Sequence, residues 1–425
     1  MRSGARLGPG LTVGAGVVLR AAAAFAFTKA CAAWLGPEAF ARYGHLAMLA
    51  AYLLTASSGG LGNALTVYLG RREATGGGAP AGTSDASAVL VIGAATGGVA
   101  AIGLAILVAS GLAEGYLPRL GLDQLPAWMA FCLAAGLGAA HLAVELAAQR
   151  HRRYQATAAA IPLLALAVLG ALAAAGRLDA ERAILAFMAG WLVPVAALVW
   201  RGPSPLRATR EAIRQAVVFA RPYLLPSLLA PTVGTLGVLA VRQAVAGSAS
   251  PHDLGLWQAL WRVAEAVMGL LASILSALLI PRLSRLTTRA EAGRAIQRAC
   301  LAGVLLYLPV ALAWLVVPRL ALRLLLAPAF LGVEALLPLQ VVGDLLKVVA
   351  TVLVLACTAL LRPGLTLLAE VVFSAAFAGL ALLLTPGGGP LGAVGAYVGA
   401  YAVLLAVLLP LVVRLVRSLP LAAPS

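Results

Sequence analysis

The stretch LGLWQALWRVAEAVMGLLASILSALLI, Leu254–Ile280, decides the fold. It is apolar enough to cross a bilayer as one helix, which takes roughly 20 residues. It stops at Pro281-Arg282-Leu283-Ser284-Arg285 and forms the second arm of a helical hairpin that starts near Arg221. Yet it carries Gln258, Arg262 and Glu265, whose spacing puts all three on one helix face. Ionisable groups inside a membrane are costly, and by default they line a wet path or a site. The alternative is an Arg262–Glu265 ion pair that only locks two helices together.

The rest of the chain repeats this character. Hydrophobic residues make up 62% of 425 and charged residues 11%, which points to an all-α polytopic membrane protein. A membrane β-barrel would show short alternating segments instead of these long Ala/Leu/Val runs. The net charge of +16 sits in the turns between apolar spans, the positive-inside pattern, so nucleic acid is not the expected partner. Cys31, Cys132, Cys300 and Cys357 fall inside spans without paired spacing and read as small packing residues.

About twelve stretches have bilayer-spanning length. They lie near Leu11–Leu35, Tyr43–Leu69, Ala88–Leu112, Pro126–Ala148, Tyr154–Ala175, Ala183–Trp200, Ala216–Ala246, Leu256–Ile280, Leu301–Val317, Leu336–Leu361, Gly364–Leu384 and Leu391–Val413. Arg20 interrupts the first and argues against a cleaved signal segment. Of the 31 basic residues, nineteen fall on the side that holds both termini, six on the other side and six inside spans. This split predicts cytoplasmic termini. Thr75–Ser87 reads as a flexible cytoplasmic linker, and Pro318–Glu334 as an amphipathic piece at the outer surface. The connections leave no room for a soluble catalytic domain.

The two halves repeat weakly. Lys29, Gly36-Pro37 and Arg71-Arg72 recur as Arg242, Ser250-Pro251 and Arg285. This predicts two six-helix lobes, 1–205 and 206–425, with a site between repeats. Pro222, Pro226 and Pro231 predict a kinked or broken seventh span.

The intramembrane cations are Arg20, Lys29, Arg221, Arg242, Arg262 and Lys347, and the acids are Glu145, Glu265, Asp344 and Glu370. A cavity lined by this set would be net positive and would favour an anionic, phosphate-bearing substrate. Asp344 and Lys347 are three apart on one face, so mutual neutralisation competes with a substrate role. His141 and Glu145 lie near Arg150, Arg152 and Arg153, and an interfacial salt bridge accounts for them. Glu370 is a solitary carboxylate that can trade protons or snorkel to the surface. Trp257 and Trp261 read as interfacial anchors. No phosphate loop, metal-ligand cluster or nucleophile elbow is present in the sequence, so neither a metal nor a cofactor is expected.

Two stretches carry a resemblance. Leu254–Arg262 with Glu265 and the Pro281-Arg282-Leu283-Ser284 end is one; Lys29, Leu35-Gly36-Pro37, Gly44 and the Gly59-Gly60-Leu61-Gly62-Asn63 run ending at Tyr68 is the other. Both resemble the Wzx family of lipid-linked oligosaccharide flippases, and within it the O-antigen and enterobacterial-common-antigen translocase branch. The chain departs from that branch at Val67 and at His45-Leu46-Ala47. The resemblance implies a V-shaped transporter of two six-helix lobes in a bacterial inner membrane. It would move an undecaprenyl-diphosphate-linked glycan to the outer leaflet by alternating access. The coupling ion would be a proton or sodium, membrane lipid would surround the chain, and a glycan polymerase would be a partner. On this reading Lys29, Arg242, Arg262, Lys347, Gln258 and Asn63 bind the substrate. Glu265, Asp344 and Glu370 balance charge or carry the coupling proton. The rivals are a multidrug/cation antiporter of the same fold, which needs an acidic cavity, and a membrane-embedded glycan polymerase or glycosyltransferase, which needs a large outer loop.

Overall fold

The computed structural model describes residues 8–58, 65–66, 68–69, 83–111, 123–283, 288–360 and 362–418. Asn63, the Gly59–Gly62 run before it, Arg71, Arg72 and Arg285 lie outside the described residues. Among those described, every regular element is helical.

In chain order the elements are α1 (Gly8–Ser57), α2 (Thr83–Ala109), α3 (Leu125–Ala147), α4 (His151–Ala174), α5 (Ala180–Gly190), α6 (Leu192–Arg201), α7 (Arg210–Ser248), α8 (Pro251–Leu283), α9 (Arg289–Val316), α10 (Pro318–Leu325), α11 (Leu337–Ala359) and α12 (Pro363–Arg417). Single 3-10 segments at Pro205–Arg207 and Pro328–Leu336 join α6 to α7 and α10 to α11. Ten helical stretches are long and apolar enough to cross a membrane, with α5 and α6 together making one of them. Two of the ten contain a non-helical glycine. Gly36 (φ 71°) divides the 50 residues of α1, and Gly389 (φ 52°) divides the 55 residues of α12. Only glycine adopts such φ values without steric cost. Each arm then has about the length of one bilayer crossing. The protein is therefore a multi-pass, all-α membrane protein, with twelve segments of crossing length among the described residues.

The chain divides into two compact units. Unit 1 holds Met1–Leu35 and His45–Leu228, and unit 2 holds Gly36–Gly44 and Leu229–Ser425. The division falls inside α7, just past Pro222 and Pro226. Of the two outcomes expected at these prolines, a kink or a break, a break does not occur: α7 continues helical for 39 residues through Pro222, Pro226 and Pro231. A proline removes one backbone donor, and neighbouring helices can make good that loss within a membrane.

Unit 1 is closed by small residues. Gly93 and Gly97 of α2 form a Gly-x-x-x-Gly face against Gly136 of α3, and a Cβ at Gly136 would overlap the Gly93 carbonyl. Such faces let helix backbones approach closely where no hydrophobic effect drives association. The expected linker Thr75–Ser87 is helical from Thr83 onward, because its end is anchored. Asp85 accepts a hydrogen bond from the Tyr68 hydroxyl (3.0 Å), and the buried Ser87 hydroxyl donates to the Ser204 carbonyl (2.7 Å). Residues 75–82 lie outside the described residues. Arg150 reaches the buried Glu145 at 3.4 Å, the salt bridge expected beside His141.

Unit 2 is built on α7 from Leu229 onward, on α8 to α12 and on Gly36–Gly44, the start of the second α1 arm. The expected amphipathic piece is the short helix α10 followed by the 3-10 segment. Arg319 and Glu334 pair across it at 2.9 Å, which lifts the exposed Arg319 guanidinium above its usual pKa. Ala321, Leu322, Phe330 and Val333 turn inward.

Candidate functional site

The charged face of α8 meets three different environments in unit 2. At its start, Gly255 packs so tightly on Pro37 that a Cβ would overlap the Pro37 carbonyl. One turn on, Gln258 is 0% exposed and fills the space above Gly44. One further turn on, Arg262 donates to the Gly44 carbonyl at 3.0 Å. Gln258 and Arg262 thus clasp Gly44, in the first turns of the second α1 arm. Both amide atoms of Gln258 are buried without a hydrogen-bond partner.

Glu265, three residues beyond Arg262, faces elsewhere. Its carboxylate binds the Lys347 ammonium of α11 at 2.5 Å. Neither pairing expected from spacing, Arg262 with Glu265 or Asp344 with Lys347, is the one formed. Trp261 (5.9 Å), Tyr397 (5.9 Å) and Tyr401 (6.0 Å) surround the same ammonium with their ring faces. Aromatic faces carry negative quadrupole charge, and three of them around one cation form a cage. Trp261 stacks on Phe377 at 5.5 Å, and Trp257 is buried beside it. These tryptophans are internal, not interfacial anchors, because the rings of α12 offer them a packed aromatic cluster.

Asp344 is only 1% exposed and is saturated by neutral donors. Tyr307 Oη donates at 2.9 Å, Tyr397 Oη at 2.9 Å and Gln340 Nε2 at 2.8 Å. Three such hydrogen bonds stabilise a buried carboxylate without a cation. Gly343, next to Asp344, gives the room: a Cβ there would overlap the Tyr397 ring. Sequence reasoning did not single out Tyr307, Tyr397, Tyr401 or Gln340.

Glu370, on the first arm of α12, lies against α7. A Cβ at Gly234 would overlap its Oε1 atom. Lys347 and Glu265 are the charged groups that act on it. Unit 2 therefore gathers Glu265, Asp344 and Glu370 around the single ammonium of Lys347. This local set is net negative when every group is ionised.

Two further expected ligands stand apart from this cluster. Lys29, in unit 1, is exposed. Arg242, on α7 in unit 2, is half-buried, and its Nε is shielded from solvent without a hydrogen-bond partner. Among the described residues no group of His, Cys, Asp and Glu could hold a metal ion.

Solved structures with the same arrangement exist. A crystal structure of MATE in complex with MaL6 superposes with a TM-score of 0.70 at 14% identity, covering 99% of each chain. The lipid II flippase MurJ, in an inward closed conformation, superposes at 0.67 with 12% identity over 96% of this chain and 88% of that one. An inward-facing multidrug resistance MATE family transporter of the MOP superfamily gives 0.66 at 15% identity over 94% of each. The chain shares the fold of these solved structures. In sequence, the chain is 30% identical to the lipid III flippase of Escherichia coli (strain K12) over 180 residues, 41% of this chain and 42% of that one. The lipid III flippase of Shigella flexneri matches to the same extent. The chain thus spans less than half the length of the curated relatives it matches. No protein-family model matches it.

Proposed function

We propose that the protein is a flippase for a lipid-linked oligosaccharide, an undecaprenyl-diphosphate-linked glycan, in a bacterial inner membrane. It carries the glycan from the cytoplasmic to the periplasmic leaflet by alternating access between its two six-helix halves, 1–205 and 206–425, with both termini cytoplasmic. The observation that carries this reading is the 30% identity to the lipid III flippase, set on a MOP-superfamily fold that spans nearly the whole chain. A transporter needs no catalytic residue, and none is assigned.

The diphosphate needs donors that are not already spent. Arg242 supports this role best, because a buried guanidinium nitrogen without an acceptor is costly until an anion reaches it. Lys29 is exposed and can act as a point charge toward phosphate. Asn63 keeps its proposed place among the substrate-binding residues. Arg262, Gln258 and Lys347 are assigned a supporting part: the first two hold Gly44, and the third is held by Glu265. The remaining partners are membrane lipid, a proton or sodium ion, and a glycan polymerase.

The test is complementation of a lipid III flippase-null strain, read as surface glycan. Restored surface glycan is expected, with loss on Arg242→Ala. Failure of the well-expressed wild type to restore it overturns the substrate assignment.

One observation favours a second reading. Three carboxylates around one ammonium suit a cation antiporter of the same fold. Resistance to cationic drugs on expression, without any gain of surface glycan, would establish that reading instead.

A further inference from the structure

The first arm of α12 is apolar except for one stripe. Thr366, Glu370, Ser374 and Thr385 follow one another at spacings of four, four and eleven residues. At about 100° per residue, each lies within roughly 40° of the last around the helix axis. All three hydroxyls are buried without a hydrogen-bond partner. Its middle, Glu370 and Ser374, lies against two glycines of α7, Gly234 and Gly237. Gly234 lies under the Glu370 carboxylate, and Ser374 Cβ would be 2.8 Å from a Cβ at Gly237.

Unpartnered hydroxyls deep in a membrane protein are costly. Three on one stripe, beside a carboxylate, describe a seam built for water or a proton and not for side-chain packing. The three acids of unit 2 differ in how each is compensated. Asp344 accepts three hydrogen bonds from neutral donors. Glu265 holds its negative charge against Lys347. Glu370 has neither kind of partner among the described residues. Among the described residues, the titratable groups that act with it are Lys347 of α11, Glu265 of α8 and Tyr401 of the second α12 arm, and Gly234 of α7 lies against it.

We propose that Glu370 is the proton-binding group of unit 2 and that it exchanges its proton along the α7–α12 seam, through Thr366 on one side and Ser374 and Thr385 on the other. Taking up one proton converts the carboxylate to a neutral acid and removes one of the three negative charges around Lys347. The ammonium is then opposed by Glu265 and Asp344 alone. Giving the proton back restores the third charge. As a coupling step for export this rests on the flippase reading. As a proton-binding site it does not.

Infrared difference spectroscopy of the full-length protein in lipid nanodiscs, without substrate, tests it. On lowering the pH, wild type is expected to gain a carbonyl stretch of a buried protonated carboxylic acid. Glu370→Gln should lose that band, whereas Asp344→Asn and Glu265→Gln should keep it. Glu370→Asp should keep it at a shifted frequency, which covers the case in which Glu370→Gln does not fold. The pair Thr366→Val with Ser374→Ala should keep the band but slow its deuteration in heavy water. A band that persists in Glu370→Gln, that vanishes in Asp344→Asn or Glu265→Gln, or that never appears in wild type overturns the assignment. Unchanged deuteration in the Thr366/Ser374 pair overturns the seam as the path. A failed complementation leaves these spectra unaffected, so the two readings fail separately.

Discussion

Removing the two members of the Glu265–Lys347 pair has unequal consequences. Deleting one partner of a fully buried ion pair costs about 3–5 kcal/mol, because the other charge is stranded. Here the stranded groups differ. The Glu265 side chain is 43% exposed and that of Lys347 is 14% exposed. In Lys347→Met, water can reach the abandoned carboxylate, and the charge loss falls toward the surface value of ~0–1 kcal/mol. The lost ring cage adds about 0.5–1 kcal/mol, and Asp344 keeps its three neutral donors. The total is about 0.5–2 kcal/mol. In Glu265→Gln, the ammonium stays in its cage with little access to water. The cost approaches the lower buried figure, ~3 kcal/mol, even with Asp344 one helical turn away. The double variant strands neither group and should cost less than the sum of the single changes by roughly 1–2 kcal/mol. Reversible unfolding in mixed detergent measures all four species. A Lys347→Met cost equal to or above that of Glu265→Gln, or strict additivity, would show that solvent access does not set the balance.

Other outcomes follow from single contacts. Gly44→Val pushes a branched side chain into Gln258 and should cost about 1–3 kcal/mol by overpacking; adding Gln258→Ala should recover much of it, and no recovery would mean that the second α1 arm is not held there. Lys29→Arg should preserve surface glycan and Lys29→Glu should abolish it, since a point charge serves a phosphate and its reversal repels one; equal export by both variants removes Lys29 from substrate binding. Cysteine at position 253 should react with an impermeant thiol reagent from the periplasm and cysteine at 204 should not, and the opposite labelling would invert the topology.

The class and the spans were legible because they rest on properties local to the chain. Apolar length marks a crossing segment wherever it occurs, and the two merged helices, α1 and α12, still divide at the glycines that the sequence places in turns. The seventh span was less legible. Three prolines argue locally for a break, but helix continuity there depends on neighbouring segments that can supply the missing hydrogen bonds. The same limit explains Thr83–Ser87. Its composition is that of a linker, and its helix is anchored from Tyr68 and Ser204, residues far along the chain.

The charged site was legible in its membership but not in its pairing. Helical spacing correctly places Arg262 with Glu265, and Asp344 with Lys347, on common faces. A common face offers a partner without obliging the pair to form. Arg262 turns to a backbone carbonyl because Gly44 leaves that oxygen within reach. Lys347 turns to Glu265 because Tyr307, Tyr397 and Gln340 already occupy the oxygens of Asp344. The sequence did hold a signal for this. Tyrosine in membrane helices favours the interfaces, where its hydroxyl meets water. Tyr307 and Tyr397 instead lie several residues inside their spans, so each hydroxyl must find a partner within the protein. Asp344 is the acceptor that both of them share. A mid-span tyrosine in such a chain therefore points to a buried carboxylate, and it separates Asp344, held by neutral donors, from Glu370, which has no such donor among the described residues.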